Sequence, residues 1–182
     1  MSRASGDAIA QALRFAAEAH AGQTVPGTRL PYLLHLAQVM SEVQAALLVE
    51  PAEDGELSVL CAILHDVVED TAVTVAEVAA RFGAEVAAGV AALTKDGRLA
   101  KSARMADSLA RIRRQPKAVW KVKLADRITN LQPPPAHWPR DRCVRYLAEA
   151  GGILEALGDA SPVLARRFEE KMRSYPGFMP RA

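Results

Sequence analysis

The sequence has 182 residues, 50% hydrophobic and 24% charged. That suffices for one domain with a core of ordinary size and excludes disordered, collagenous and disulfide-scaffold classes. Lysine and arginine number 23 against 21 acidic residues, a formal charge of +2, so the sequence pI near 8.7 reflects late-titrating arginine and is no footprint for nucleic acid. Aromatic residues make up 5% and alanine about a fifth. This balance predicts an all-α fold, because alanine costs least in a helix while strands favour β-branched and aromatic residues.

The predicted elements are helices with clear punctuation. The first runs from about Asp7 to His20, with Ile9, Leu13 and Ala16 at helical spacing, and stops near Gly22. A loop with Pro26, Gly27 and Pro31 leads to a helix from about Tyr32 to Val49, closed before Pro51. A third, from about Gly55 to Val68, carries Leu57, Leu60, Cys61 and Leu64 on one stripe. Thr74-Val75-Ala76-Glu77 reads as a capping box opening a short helix, and Phe82-Gly83 as its end. A helix over about Ala84 to Leu93, a polar loop from Thr94 to Leu99 and a helix from about Lys101 to Arg113 follow. Pro116 suits the first turn of a helix to about Leu131. Pro133-Pro134-Pro135 forbids helix, and Pro139 opens a long helix to about Leu157. Ser161-Pro162 caps a last helix to about Tyr175, with a tail from Pro176 onward.

Cys61 and Cys143 lack metal-type spacing and read as small buried hydrophobes. The N-terminal stretch, with Asp7 and Gln11, has no apolar signal region. No apolar run approaches the ~18 residues a membrane span needs. The expectation is a soluble cytoplasmic protein without membrane or nucleic-acid partners. A homo-oligomer stays open, because alanine-rich helix faces serve cores and interfaces equally.

Three stretches carry chemistry. In His65-Asp66-Val67-Val68-Glu69-Asp70, four titratable groups follow the apolar run Leu60 to Leu64. On one continuous helix His65 and Glu69 share a face, as do Asp66 and Asp70. A cation site, an N-cap cluster for the following helix and a solvated acidic helix end are all open readings. In Val122-Lys123-Leu124-Ala125-Asp126-Arg127-Ile128-Thr129-Asn130-Leu131, Asp126 and Asn130 lie one turn apart in an apolar helix. A buried acid needs a partner or a metal, and on spacing alone the intrahelical pair with Lys123 is the simpler account. His35 follows Pro31-Tyr32 on an apolar face, where a lone histidine is usually a core residue. His20 and His137 read the same way.

Together these stretches resemble the HD-domain metal-dependent phosphohydrolases. More narrowly, they are similar to the hydrolase domain of the stringent-response alarmone enzymes and to the small stand-alone alarmone hydrolases. The matching blocks are Ala19-His20-Ala21-Gly22-Gln23, Pro31-Tyr32 leading to His35, His65-Asp66-Val67-Val68-Glu69-Asp70-Thr71, Leu93-Thr94-Lys95, and Lys123-Leu124-Ala125-Asp126-Arg127 with Asn130-Leu131. The resemblance covers about residues 7–160. It implies one HD-type helical bundle over 1–182, with a C-terminal helix and tail from 161.

It further implies that His35, His65, Asp66 and Asp126 bind one divalent transition metal. Manganese is the family's usual ion, with Fe²⁺ and Zn²⁺ as alternatives suited to a mixed N/O set. Glu69 and Asp70 correspond to the acidic pair that works on the attacking water. Asn130 corresponds to a substrate contact, and Lys101, Arg142 and Tyr146 to groups holding phosphates or ribose. Arg127 is a further candidate to balance substrate charge.

The implied activity is guanosine-3′,5′-bis(diphosphate) 3′-pyrophosphohydrolase. Hydrolysis of another nucleotide, such as a dinucleotide 2′-phosphate, and a non-catalytic nucleotide-binding module are the alternatives. One departure bears on this choice. The family places an arginine soon after Gly-Gln, where it stacks on guanine; here the segment reads Thr24-Val25-Pro26-Gly27-Thr28-Arg29-Leu30.

Overall fold

The computed structural model describes residues 6–180. Ten α-helices follow in chain order: α1 Gly6–Ala19, α2 Leu33–Val49, α3 Gly55–Leu64, α4 Val67–Asp70, α5 Val75–Phe82, α6 Ala84–Leu93, α7 Arg104–Ile112, α8 Lys117–Asn130, α9 Arg140–Leu157 and α10 Pro162–Ser174. Short 3-10 turns cover Gly158–Ala160 and Tyr175–Phe178. Among the described residues the β contribution is an isolated antiparallel bridge between Thr24 and Pro31. The fold is all-α, as the composition predicts, and no described helix is long and apolar enough to cross a membrane.

The middle of the bundle is α3, α8 and α2. Every residue of α3 from Leu57 to Leu64 is buried, as is α8 from Ala118 to Thr129 apart from Trp120. A helix buried on nearly all sides needs neighbours that cover each side. These two are covered by α2 and by each other, with α1 and α6 against α3 and α9 and α10 against α8. Gly89 lets α6 approach closely. A Cβ there would lie 2.7 Å from Cys61 Sγ and 3.0 Å from a Val119 methyl.

Local chemistry sets the helix ends. The capping box at α5 forms: Glu77 N donates to Thr74 Oγ1, and Thr74 N donates back to Glu77. Gly83 ends that helix at φ 88°, a left-handed conformation that glycine adopts readily. Ser161 caps α10 by accepting from Leu164 N, and its hydroxyl donates to Glu50 at the end of α2. Leu164, Phe168 and Tyr175 bury into the same core as the earlier helices. In the tail, Arg140 donates to the carbonyl of Pro180.

Two boundaries differ from expectation. The helix read through Val68 stops at Leu64; His65-Asp66 forms a turn before α4. Asp66 sits at φ −103°, ψ −5°, which turns its carboxylate toward Tyr32 and His35. The helix expected from Lys101 starts at Arg104, whose guanidinium donates to the Leu99 and Gly97 carbonyls and closes the preceding loop.

Candidate metal and catalytic site

His35 comes from the first turn of α2, His65 and Asp66 from the turn between α3 and α4, and Asp126 from the middle of α8. These are the packed central helices, so core formation also assembles the cluster. His35 Nε2 lies 3.4 Å from His65 Nε2 and 3.5 Å from Asp126 Oδ1. His65 Nε2 lies 2.9 Å from Asp66 Oδ2 and 3.8 Å from Asp126 Oδ1. One donor atom each from His35, His65 and Asp126 falls within 4.8 Å of the others, and all three residues are buried. Asp66 Oδ2 is 3.7 Å from His35 Nε2 and completes the convergence.

The donor set fits a divalent cation. His65 Nδ1 donates to the Ala62 carbonyl at 2.9 Å. That hydrogen bond leaves the lone pair of a neutral ring on Nε2, facing the cluster. Two nitrogens and two carboxylates in one buried point suit a borderline transition metal better than an all-oxygen ion such as Ca²⁺.

Without a cation, protons take over part of the balance. Burial opposes charge on His65, but the Asp66 carboxylate overrides it and lifts the pKa to about 9. Burial likewise opposes charge on Asp66 and Asp126. Asp66 is nevertheless held low by His65, and Asp126 by Lys123 first and then by His35. Lys123 Nζ donates to Asp126 Oδ2 at 2.9 Å while Oδ1 faces the two imidazoles. The intrahelical ion pair and the cluster therefore coexist, one on each oxygen.

The acidic pair lies one turn beyond. Glu69 is gripped by Lys95, whose backbone N–H reaches Oε2 at 2.9 Å and whose Nζ reaches Oε1 at 2.7 Å. Asp70 is exposed, with Oδ2 3.5 Å from the Tyr32 hydroxyl. Burial, then the Asp66 and Glu69 charges, push its pKa upward. Tyr32 donates to Asp66 Oδ2 at 2.6 Å.

Beside His35 opens a cleft of about 370 Å³, lined by Asn130, Pro134, Pro135, Trp138 and Tyr146 among others. That volume falls in the ordinary range of small-ligand sites. Asn130 Nδ2 donates to Asp126 Oδ1 at 2.6 Å, which ties it to the cluster as well as to the cleft. Arg127 stacks over Tyr146 at 4.1 Å and pairs with Glu149. Arg142 stacks over Trp138 at 3.9 Å. Lys101 is exposed in the turn ahead of α7, Arg29 is exposed in the loop before α2, and His137 is exposed.

Four residues of this neighbourhood were not singled out by residue type and spacing: Tyr32, His20, Gln23 and Lys95. Three of them stand inside the matching blocks Ala19 to Gln23 and Pro31 to His35, and Lys95 ends Leu93-Thr94-Lys95. The recurrence of those blocks was the available signal.

A helical bundle that brings two imidazoles and the Asp126 carboxylate to one buried point, with Asp66 beside them, offers a site for a divalent metal. The chain matches the HD domain family over residues 12–157 and belongs to that family. It is 29% identical over 178 residues to the zebrafish (Danio rerio) protein named guanosine-3′,5′-bis(diphosphate) 3′-pyrophosphohydrolase MESH1, covering 93% of this chain and 95% of that one. The mouse (Mus musculus) protein of the same name is 31% identical over 175 residues, covering 90% and 94%. Among solved structures, one titled as a metazoan ortholog of SpoT that hydrolyzes ppGpp superposes with a TM-score of 0.81. Its identity is 27%, covering 98% of this chain and all of that one.

Proposed function

We propose that this protein is a metal-dependent phosphohydrolase that removes pyrophosphate from the 3′ position of guanosine-3′,5′-bis(diphosphate). The observation that carries the reading is the convergence of His35, His65, Asp66 and Asp126 beside Glu69 and Asp70. The near full-length likeness to proteins named for that reaction supports it. The whole of 1–182 is read as one HD-type unit. Manganese is the proposed ion, and a cytoplasmic location goes with the nucleotide substrate.

In this reaction the oxygen of water bonds to the inner phosphorus of the 3′-diphosphate. The bond from that phosphorus to the ribose 3′-oxygen breaks, diphosphate is released, and the 3′-oxygen gains a proton. A bound divalent cation supplies a lowered water pKa and offsets charge on the phosphoryl oxygens. His35, His65, Asp66 and Asp126 would hold it.

Glu69, with both oxygens engaged by Lys95, orients the attacking water from a fixed position. Asp70, exposed and held by one long contact to Tyr32, passes the proton between water and the leaving oxygen. Asn130 and Tyr146 contact the nucleotide in the cleft, and Lys101 and Arg142 balance its phosphates. A Glu69→Ala, Asp70→Ala double variant should lose turnover and keep its metal; full rate in that variant would refute the role of the pair.

A second reading keeps the chemistry and changes the nucleotide. The cleft lining includes Pro26, Leu30, Pro134 and Trp138 and no arginine, which leaves the guanine-stacking arginine of the family without a counterpart in the cleft. A panel of nucleotides, including a dinucleotide 2′-phosphate, with phosphate and pyrophosphate release measured separately, distinguishes the two. Pyrophosphate from the 3′-diphosphate alone supports the first reading. Phosphate from the dinucleotide alone supports the second.

A further inference from the structure

The hydroxyl of Tyr32 reaches Asp66, and its ring meets two imidazoles: His35 of the cluster, tilted at 50° with centroids 5.3 Å apart, and a second that belongs neither to the cluster nor to the acidic pair. His20, just past the end of α1, is buried and stacks on Tyr32 with ring centroids 4.8 Å apart and planes 28° apart. Its Nδ1 lies 2.8 Å from Gln23 Oε1. The Gln23 amide has a defined orientation, because its Nε2 donates to the Asp70 carbonyl at 2.8 Å. Oε1 must therefore accept, and the proton of a neutral His20 sits on Nδ1. Nε2 is then a buried acceptor with no partner among the described residues.

We propose that His20 is a positioning residue of the metal centre: locked by Gln23, its ring is the platform that delivers the Tyr32 hydroxyl to Asp66 and so sets the carboxylate that holds the ion. This rests on the metal reading above. Outer-shell partners of metal ligands typically govern 10–100-fold in metal affinity. The role differs from a contribution to folding, because it should vanish once the Tyr32 hydroxyl is gone.

The test is calorimetric titration of Mn²⁺ into the metal-free full chain, with thermal unfolding of each variant in parallel. His20→Ala should weaken Mn²⁺ binding about 10-fold. Tyr32→Phe should weaken it at least as much, and adding His20→Ala to Tyr32→Phe should weaken it no further. His20→Phe, which keeps a flat ring beneath Tyr32, should restore most of the affinity. Affinity unchanged in His20→Ala, a loss that adds in full to that of Tyr32→Phe, or a His20→Phe variant no better than His20→Ala would each overturn the role while leaving the metal centre standing. Failure of the unaltered chain to take up Mn²⁺ would overturn the metal centre itself and this role with it.

Discussion

Lys95 holds both carboxylate oxygens of Glu69, one through its backbone N–H and the other through its ammonium group. The two residues are 26 positions apart and both partly buried. Burial alone would lower the Lys95 pKa, but the Glu69 carboxylate raises it above the ordinary lysine value, so the Lys95 ammonium stays charged at neutral pH. Lys95→Met should therefore lower kcat by about two orders of magnitude, the lower end of what a positioned acid–base group contributes. KM and bound metal should change little. Steady-state kinetics with metal analysis checks this, and a kcat equal to that of the unaltered protein would mean that Lys95 does not position Glu69.

Metal and protons compete at His65. The ligand form is the neutral ring, whereas in the metal-free protein Asp66 keeps the ring protonated up to a pKa of about 9. The stabilisation from the charged ring is fully present below the ordinary histidine range and is lost as pH rises through about 9. Metal binding has the opposite sign: affinity should fall as pH drops from 9 toward 6. Binding at pH 7 should release a proton. Calorimetry in two buffers of different ionisation enthalpy measures that proton directly. Identical apparent enthalpies in both buffers would contradict the assignment.

Much of this site was legible from residue order. The resembling blocks contain His35, His65, Asp66 and Asp126; His35 and Asp126 stand on helices that pattern alone places, and His65-Asp66 on the turn that follows α3. The bounds of α6, Ala84–Leu93, and the ends of α2 at Val49 and α9 at Leu157 agree with the pattern, because proline, glycine and apolar spacing are local signals. The break at His65-Asp66 was not legible. The apolar run continues past it to Val67 and Val68, and the turn depends on Asp66 meeting Tyr32 and His65. Lys95 and His20 escaped for a related reason: the partner that gives Lys95 its meaning is distant in sequence, and a lone histidine at a helix end looks like packing.

Gly89 marks where α6 touches the core. Alanine is the better helix former by about 1 kcal/mol, yet its Cβ would press on Cys61 Sγ and Val119. Overpacking of this kind typically costs about 1–3 kcal/mol. Gly89→Ala should lower the Tm, and Cys61→Ala should relieve part of the loss. Chemical denaturation of both single variants and the double variant measures the coupling. Strict additivity would show that the sulfur is not the obstacle.

Cys61 itself should be inert in the native state. Burial raises its thiol to about 12, and the thiolate is the reactive form. A soluble aromatic disulfide at pH 8 should leave Cys61 unmodified until the protein is denatured. The same shift predicts stability that is intact below the ordinary thiol pKa, near 9, and declines as pH rises toward 12, since the unfolded chain loses that proton first. Rapid labelling of Cys61 in the folded protein would contradict its packing against α6.

Ser161 joins two distant elements, capping α10 and donating to Glu50, whose other oxygen accepts from Val163 N. Ser161→Ala should cost about 1–2 kcal/mol, the upper range for a lost N-cap, with turnover unchanged at temperatures where the protein is folded. Denaturant titration gives the value, and a change below the error of the method would show that the cap is dispensable.

The most direct test of the account is the anomalous diffraction signal of Mn²⁺ in crystals of the protein. One peak per chain, bonded by His35, His65, Asp66 and Asp126, is the predicted result. A peak placed elsewhere, or none at full Mn²⁺ exposure with those four side chains arranged as described, would contradict it.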